Sequence, residues 1–99
     1  MRTASSICFV AGWMLAGCAT HVGDIHVYGA VWAVSREDIR AAVAAARAAP
    51  RWQEPIAYVD IAGHNTITIV HLSEGLPTYF DVNRVGGRWR YMRSYFYIE

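Results

Sequence analysis

Read for the spacing of its apolar residues, the chain opens with a dense apolar run and then settles into shorter patterns. Ile7 to Ala16 is almost wholly apolar. From Ile25 to Val34, the residues Val27, Tyr28, Val31, Trp32 and Val34 favour extended backbone with two fairly apolar faces, which predicts a first strand. At Ser35-Arg36-Glu37-Asp38 the period changes. Ser35 can accept from the backbone amide three residues on, and acids stand where a helix dipole favours negative charge. Ile39, Ala42, Val43 and Ala46 follow at helical spacing. A helix is therefore predicted from Arg36 to about Ala49, small enough in its side chains to lie close to a sheet. Pro50 stops it.

Beyond Pro50 the period returns to two. Ile56 to Ala62 reads as a second strand, and Gly63-His64-Asn65 supplies turn chemistry. Thr66 to Leu72 reads as a third strand, Ser73 to Pro77 as a loop and Thr78 to Val85 as a fourth strand. Gly86-Gly87 is a two-residue hairpin signal that leads into a long fifth strand, Arg88 to Ile98. On odd positions that strand carries Trp89, Tyr91, Arg93, Tyr95 and Tyr97, and neither face is cleanly polar. A bulge near Arg93-Ser94 would point Trp89 and Tyr91 inward first and Phe96 and Ile98 afterwards. A second covered face, against a partner, is the alternative.

One strand, one helix and a four-strand meander make an α+β domain, with a four- to five-stranded antiparallel sheet wrapped across one helix. This order resembles the cystatin-like fold, by topology alone. The glutamine-valine-glycine loop by which cystatins plug cysteine proteases is absent, since the hairpin here reads Gly63-His64-Asn65. The larger NTF2-like pocket proteins of similar shape carry extra helices for which this domain has no room.

The apolar run at the start has a different meaning from the later patterns. Arg2 precedes it, it is about half the roughly 20 residues a spanning helix needs, and it ends in Leu15-Ala16-Gly17-Cys18. That ending resembles the lipobox of bacterial prolipoproteins, and every position fits. The resemblance implies a signal peptide over residues 1–17, cleavage between Gly17 and Cys18, and a diacylglycerol thioether on Cys18. Residues 18–24 would then be a lipidated tether, and 25–99 a single α+β domain. In that family an aspartate after the lipidated cysteine retains proteins in the inner membrane. Ala19 stands there instead, which implies the periplasmic face of the outer membrane in a Gram-negative source.

Composition now narrows the chemistry. Removing 17 of the 99 residues leaves 82, close to the lower limit for a single self-sufficient core. Cys8 leaves with the signal and Cys18 is blocked by lipid, so no disulfide or free thiol is expected in the mature domain. Arg2 leaves too, so the remaining eight arginines balance eight acids, with no lysine. Net charge points neither to nucleic acid nor to an anionic surface.

His26, His64 and His71 are dispersed and lack metal-ligand spacing, so no metal or other cofactor is expected. Asp60, if it shares a face with Tyr58, could pair with His71 on the next strand for acid-base work, or be an inert cross-strand pair. No serine has a nucleophile-elbow setting. Gly86-Gly87 joins strands and opens no helix, so it is no phosphate cradle. The strip Arg88, Trp89, Arg90, Tyr91, Arg93, Tyr95 and Tyr97, with Arg84 nearby, has the basic-aromatic character of a binding surface. Export argues against nucleic acid and for an envelope protein, a glycan or phospholipid headgroups. The alternative is a core aromatic row with arginines solvated on the other side.

The expectation is a small envelope lipoprotein, held to the membrane by Cys18, that serves as a non-catalytic binding or accessory subunit for an envelope protein partner. The competing readings are a small-ligand or enzymatic pocket built on Tyr58, Asp60 and His71, and an inhibitor of an envelope hydrolase.

Overall fold

The computed structural model describes residues 18–96. Residues 1–17 and Tyr97, Ile98 and Glu99 lie outside the described residues, and with them most of the lipobox and one member of the aromatic strip. The elements are β1 (Cys18–Val22), β2 (Ile25–Gly29), a 3-10 turn (Val31–Ala33), α1 (Arg36–Arg47), β3 (Tyr58–Gly63), β4 (Thr66–Ser73), β5 (Leu76–Val85) and β6 (Arg88–Phe96). The domain is α+β, as expected. Its six strands form one open sheet in chain order, β1 to β6.

Three expectations need correction. Residues 18–24 form an edge strand and its turn, where a tether was expected: β1 pairs antiparallel with β2 from Cys18 opposite Gly29 to Val22 opposite Ile25. The first strand also ends five residues early. Gly29 takes φ +91, and the chain passes through the 3-10 turn before α1. Finally, the sheet has six strands and is mixed, because β2 and β3 run parallel. The physical reason is the length of α1. Twelve residues at about 1.5 Å each span roughly the length of a strand, so the helix returns the chain to the end where β2 began. This parallel pair departs from the all-antiparallel sheet that the cystatin-like resemblance implies.

The helix forms as its sequence dictates. The Ser35 hydroxyl accepts from the Asp38 amide, and the Asp38 carboxylate accepts from the Ser35 amide, each at 3.0 Å. Ile39, Ala42, Val43 and Ala46 are all buried. Ala42 and Ala46 let the helix approach Val27, Val59, Ile61, Ile67, Ile69, Phe80 and Val82, which fill the sheet side of the core. Past the helix, Trp52 packs on Phe80, and its indole N–H donates to Glu54.

Asp38 does more than cap. Its Oδ1 also accepts from Arg84 at 3.0 Å and from the Trp89 indole at 3.1 Å, which joins α1 to β5 and β6. The backbone bond from Ser35, then the Trp89 bond, with Ser35 Oγ and the Arg84 charge behind them, hold its carboxyl below the usual aspartate range. A depressed folded pKa means stability that is present above the unfolded value, about 3.9, and lost as pH falls through the lower folded value. Asp38→Ala is expected to lower stability by about 1–2 kcal/mol at pH 7. Denaturation measured against pH should also show a shallower loss below about pH 4 in the variant than in the wild type. Equal slopes in the two proteins would contradict this role.

Candidate binding surface

Side chains alternate across a strand, so the register sorts every residue to one of two faces. One face meets α1. The other carries no covering element among the described residues. On this open face the register sets Tyr58 of β3, Val70 of β4, Tyr79 of β5 and Tyr95 of β6 in a row. A second row runs beside it through Tyr28, Asp60, Thr68, Asp81 and Arg93. His21 and His26 extend the face onto the β1–β2 hairpin, with ring centroids 4.3 Å apart.

The aromatic groups pack against each other. Tyr28 meets Tyr58 edge to face at 5.7 Å, and Tyr79 stacks on Tyr95 at 5.2 Å. Val70 is completely buried although it lies on this side of the sheet. Arg93 lies over the Tyr95 ring at 5.1 Å and donates to Asp81 at 3.0 Å, while Thr68 donates to the other Asp81 oxygen at 2.8 Å. Burial, and then nearby negative charge, raises the Tyr58 and Tyr95 phenols above their ordinary value, so both are neutral hydrogen-bonding groups at pH 7. Arg88 and Arg90 stand exposed at the edge, with no side-chain partner among the described residues.

The basic-aromatic strip read from the sequence is therefore divided between two faces. A bulge in β6 places Tyr91 opposite Val82 and Arg93 opposite Asp81, leaving Met92 as the extra residue. This is one or two positions before the expected site: Trp89 and Tyr91 turn inward as expected, Phe96 turns to the same side without being buried, and Ile98 lies outside the described residues. Trp89 and Tyr91 face the helix, half-buried. Trp89 is held by Asp38 and overlaid by Arg84 at 5.0 Å, and the Tyr91 hydroxyl bonds Ser94 at 2.9 Å. Arg88, Arg90, Arg93 and Tyr95 face the open side. Phe96 shares the helix side but is exposed. Trp89 and Tyr91 thus leave the candidate surface.

The alternative pocket does not assemble. Tyr58 and Asp60 lie on the open face, whereas His71 lies on the helix face, 5% exposed, with Nδ1 2.8 Å from the Pro55 carbonyl oxygen. The sheet separates Asp60 from His71, because strand positions differing by an odd number in register point oppositely. His64 is also engaged, with Nδ1 3.0 Å from the Ala33 carbonyl oxygen. Among the described residues no three His, Cys, Asp or Glu side chains come together as a metal site.

Tyr28 and Tyr79, with His21 and His26, are the surface residues that the sequence reading missed. A signal for the tyrosines was present. Tyr28, Tyr58 and Tyr79 each stand next to a residue now seen to be wholly buried: Val27, Val59 and Phe80. Alternation assigns all three to the opposite side at once. No single strand carries this surface, which is assembled from several.

No family model, curated protein or solved structure matches this chain. Its chemistry has to be judged from the surface itself. Flat ligands such as bases or sugar rings stack on free aromatic faces. Here Tyr79 and Tyr95 stack on each other and Arg93 lies over the Tyr95 ring, so part of their ring area is already taken, and hydroxyls and guanidinium groups stand beside the rings. Such an array suits a protein surface, where Tyr and Arg are enriched among the residues that carry binding energy.

Proposed function

We propose that this protein is a small lipoprotein of the bacterial envelope, anchored through lipid on Cys18, that works as a non-catalytic binding subunit for another envelope protein. The observation that carries the binding reading is the bare face of the six-stranded sheet, with Tyr28, Tyr58, Tyr79 and Tyr95 in packed pairs and Arg88, Arg90 and Arg93 beside them. A monomer gains little from leaving rings such as Tyr28 and Tyr95 43% and 40% exposed on an uncovered sheet face. A partner covering that face supplies a reason for it. The anchoring reading is supported by Arg2, the apolar run and Leu15-Ala16-Gly17-Cys18. The space between helix and sheet is filled by the core side chains, and Asp60 and His71 stand on opposite sides of the sheet. Neither observation favours a pocket enzyme.

Cys18→Ala tests the anchor. In bacterial cells the wild-type chain is expected in the membrane fraction, and the variant is expected either soluble or retained as an uncut precursor. A cleaved variant that stays membrane-bound as the wild type does would overturn the lipid assignment.

A further inference from the structure

We infer that one end of the sheet, the end that carries Trp32 and Arg88, rests on an anionic phospholipid surface and turns the open face sideways from the membrane. The inference rests on the lipid reading of Cys18. β1 starts at Cys18 itself, paired with Gly29, so no spacer separates a lipidated residue from the fold. With strands about 4.8 Å apart, β6 lies roughly 24 Å from β1, so the lipid fixes one corner of that end and the side chains along it set how the rest meets the bilayer.

The contacts identify what shares it. Gly29 stands opposite Ile61, and the Ala30 amide donates to the Ile61 carbonyl at 2.8 Å. The next residues form the 3-10 turn, whose Trp32 is 68% exposed and meets His64 edge to face at 6.3 Å. His64 belongs to the β3–β4 turn, and its carbonyl oxygen accepts from Arg84 at 2.7 Å. Just beyond Arg84 comes the β5–β6 turn, with Val85 and Arg88 as its flanking pair. Trp32, Val85 and Arg88 therefore crown the end at which Cys18 enters, and Arg90 follows one pleat inward.

These are the side chains an interface selects. An exposed indole prefers the headgroup level, and arginines near an anionic surface are drawn to its phosphates. Asp38, at this same end, is already paired with Arg84, and the exposed Glu37 has the exposed Arg36 next to it in the chain. The far end is different. It holds the Gly23-Asp24 and Glu74-Gly75 turns, and although Leu72, Leu76 and Phe96 are exposed there, it lies a full strand length from Cys18.

The test uses the lipidated protein extracted from bacterial membranes and reconstituted into phosphatidylglycerol–phosphatidylethanolamine vesicles whose acyl chains are brominated. Flotation with the vesicles is scored first, then quenching of tryptophan emission. Trp52 and Trp89 are half-buried and provide the internal baseline. Quenching is expected in the wild type and should fall by about twofold or more in Trp32→Phe. It should also fall in an Arg88→Gln, Arg90→Gln double variant on anionic vesicles, but not on purely zwitterionic ones. A Trp32→Phe, Leu76→Trp variant, which reports from the far end, should remain as weakly quenched as Trp32→Phe. Protein that floats but shows equal quenching with and without Trp32, or strong quenching from position 76, overturns the orientation and leaves the anchor standing. Protein that does not float overturns the anchor and the orientation with it.

Discussion

Replacing Gly29 with alanine is expected to lower the stability of the domain by about 3 kcal/mol, a large share of the total for a chain this small. Two effects combine at this position. The backbone sits at φ +91, where a side chain is strained whatever space surrounds it. Space is also lacking, since a methyl group would strike the Ile61 carbonyl oxygen and the Asp60 carboxylate. The Ala30–Ile61 hydrogen bond begins one residue later, so relief of the clash has to open the parallel β2–β3 pair. Thermal unfolding should move down by about 12 °C or more. Gly86→Ala is the natural control. Gly86 also has positive φ, at +61, but a methyl group there meets nothing within 4 Å. Its loss should be about 1 kcal/mol. If Gly29→Ala unfolds no more easily than Gly86→Ala, close packing at the β2–β3 crossover is not what the structure indicates.

A Tyr79→Ala, Tyr95→Ala double variant should affect binding far more than stability. The two rings stack on the open face, and losing their contact should cost about 1 kcal/mol of folding free energy. Removing a pair of central tyrosines from an interface is expected to weaken it by about 2 kcal/mol or more, roughly thirtyfold. The variant should therefore keep its fold, its membrane fraction and its cleavage while losing its partner. Co-purification of the partner after mild crosslinking, alongside a denaturation curve, reads both effects. A variant that retains the partner at wild-type yield places binding elsewhere than on these rings.

The parts of the fold that could be read from the sequence were those set by local chemistry. Ser35 and Asp38 announce the helix start, Pro50 stops it, and Gly86-Gly87 turns the last hairpin. Each works through backbone geometry within a few residues. What could not be read depended on distant pairing. Residues 18–24 contain only Thr20 and Val22 as strand formers, and they become a strand because β2 offers an unpaired edge. The parallel crossover depends on which end of the sheet α1 returns to, which no local signal encodes. The same division applies to the surface. Arg88, Arg90, Arg93 and Tyr95 could be found by reading along β6. Tyr28 and Tyr79 join them only through the register of five strands. The Asp60–His71 pair failed for the same reason, because two plausible partners on adjacent strands fell on opposite faces.

The binding role of the open face is tested most directly by photocrosslinking in living cells from single positions on either side of the sheet. A photoreactive residue replaces Tyr28, Tyr79 or Tyr95 on the open face, or Arg40 or Ala44 on the exposed side of α1. Discrete adducts with an envelope protein are expected from the three open-face positions and none from the two helix positions, in a chain that still fractionates with the membrane. Adducts confined to the helix positions, or an open face that yields none, would contradict the role proposed for it.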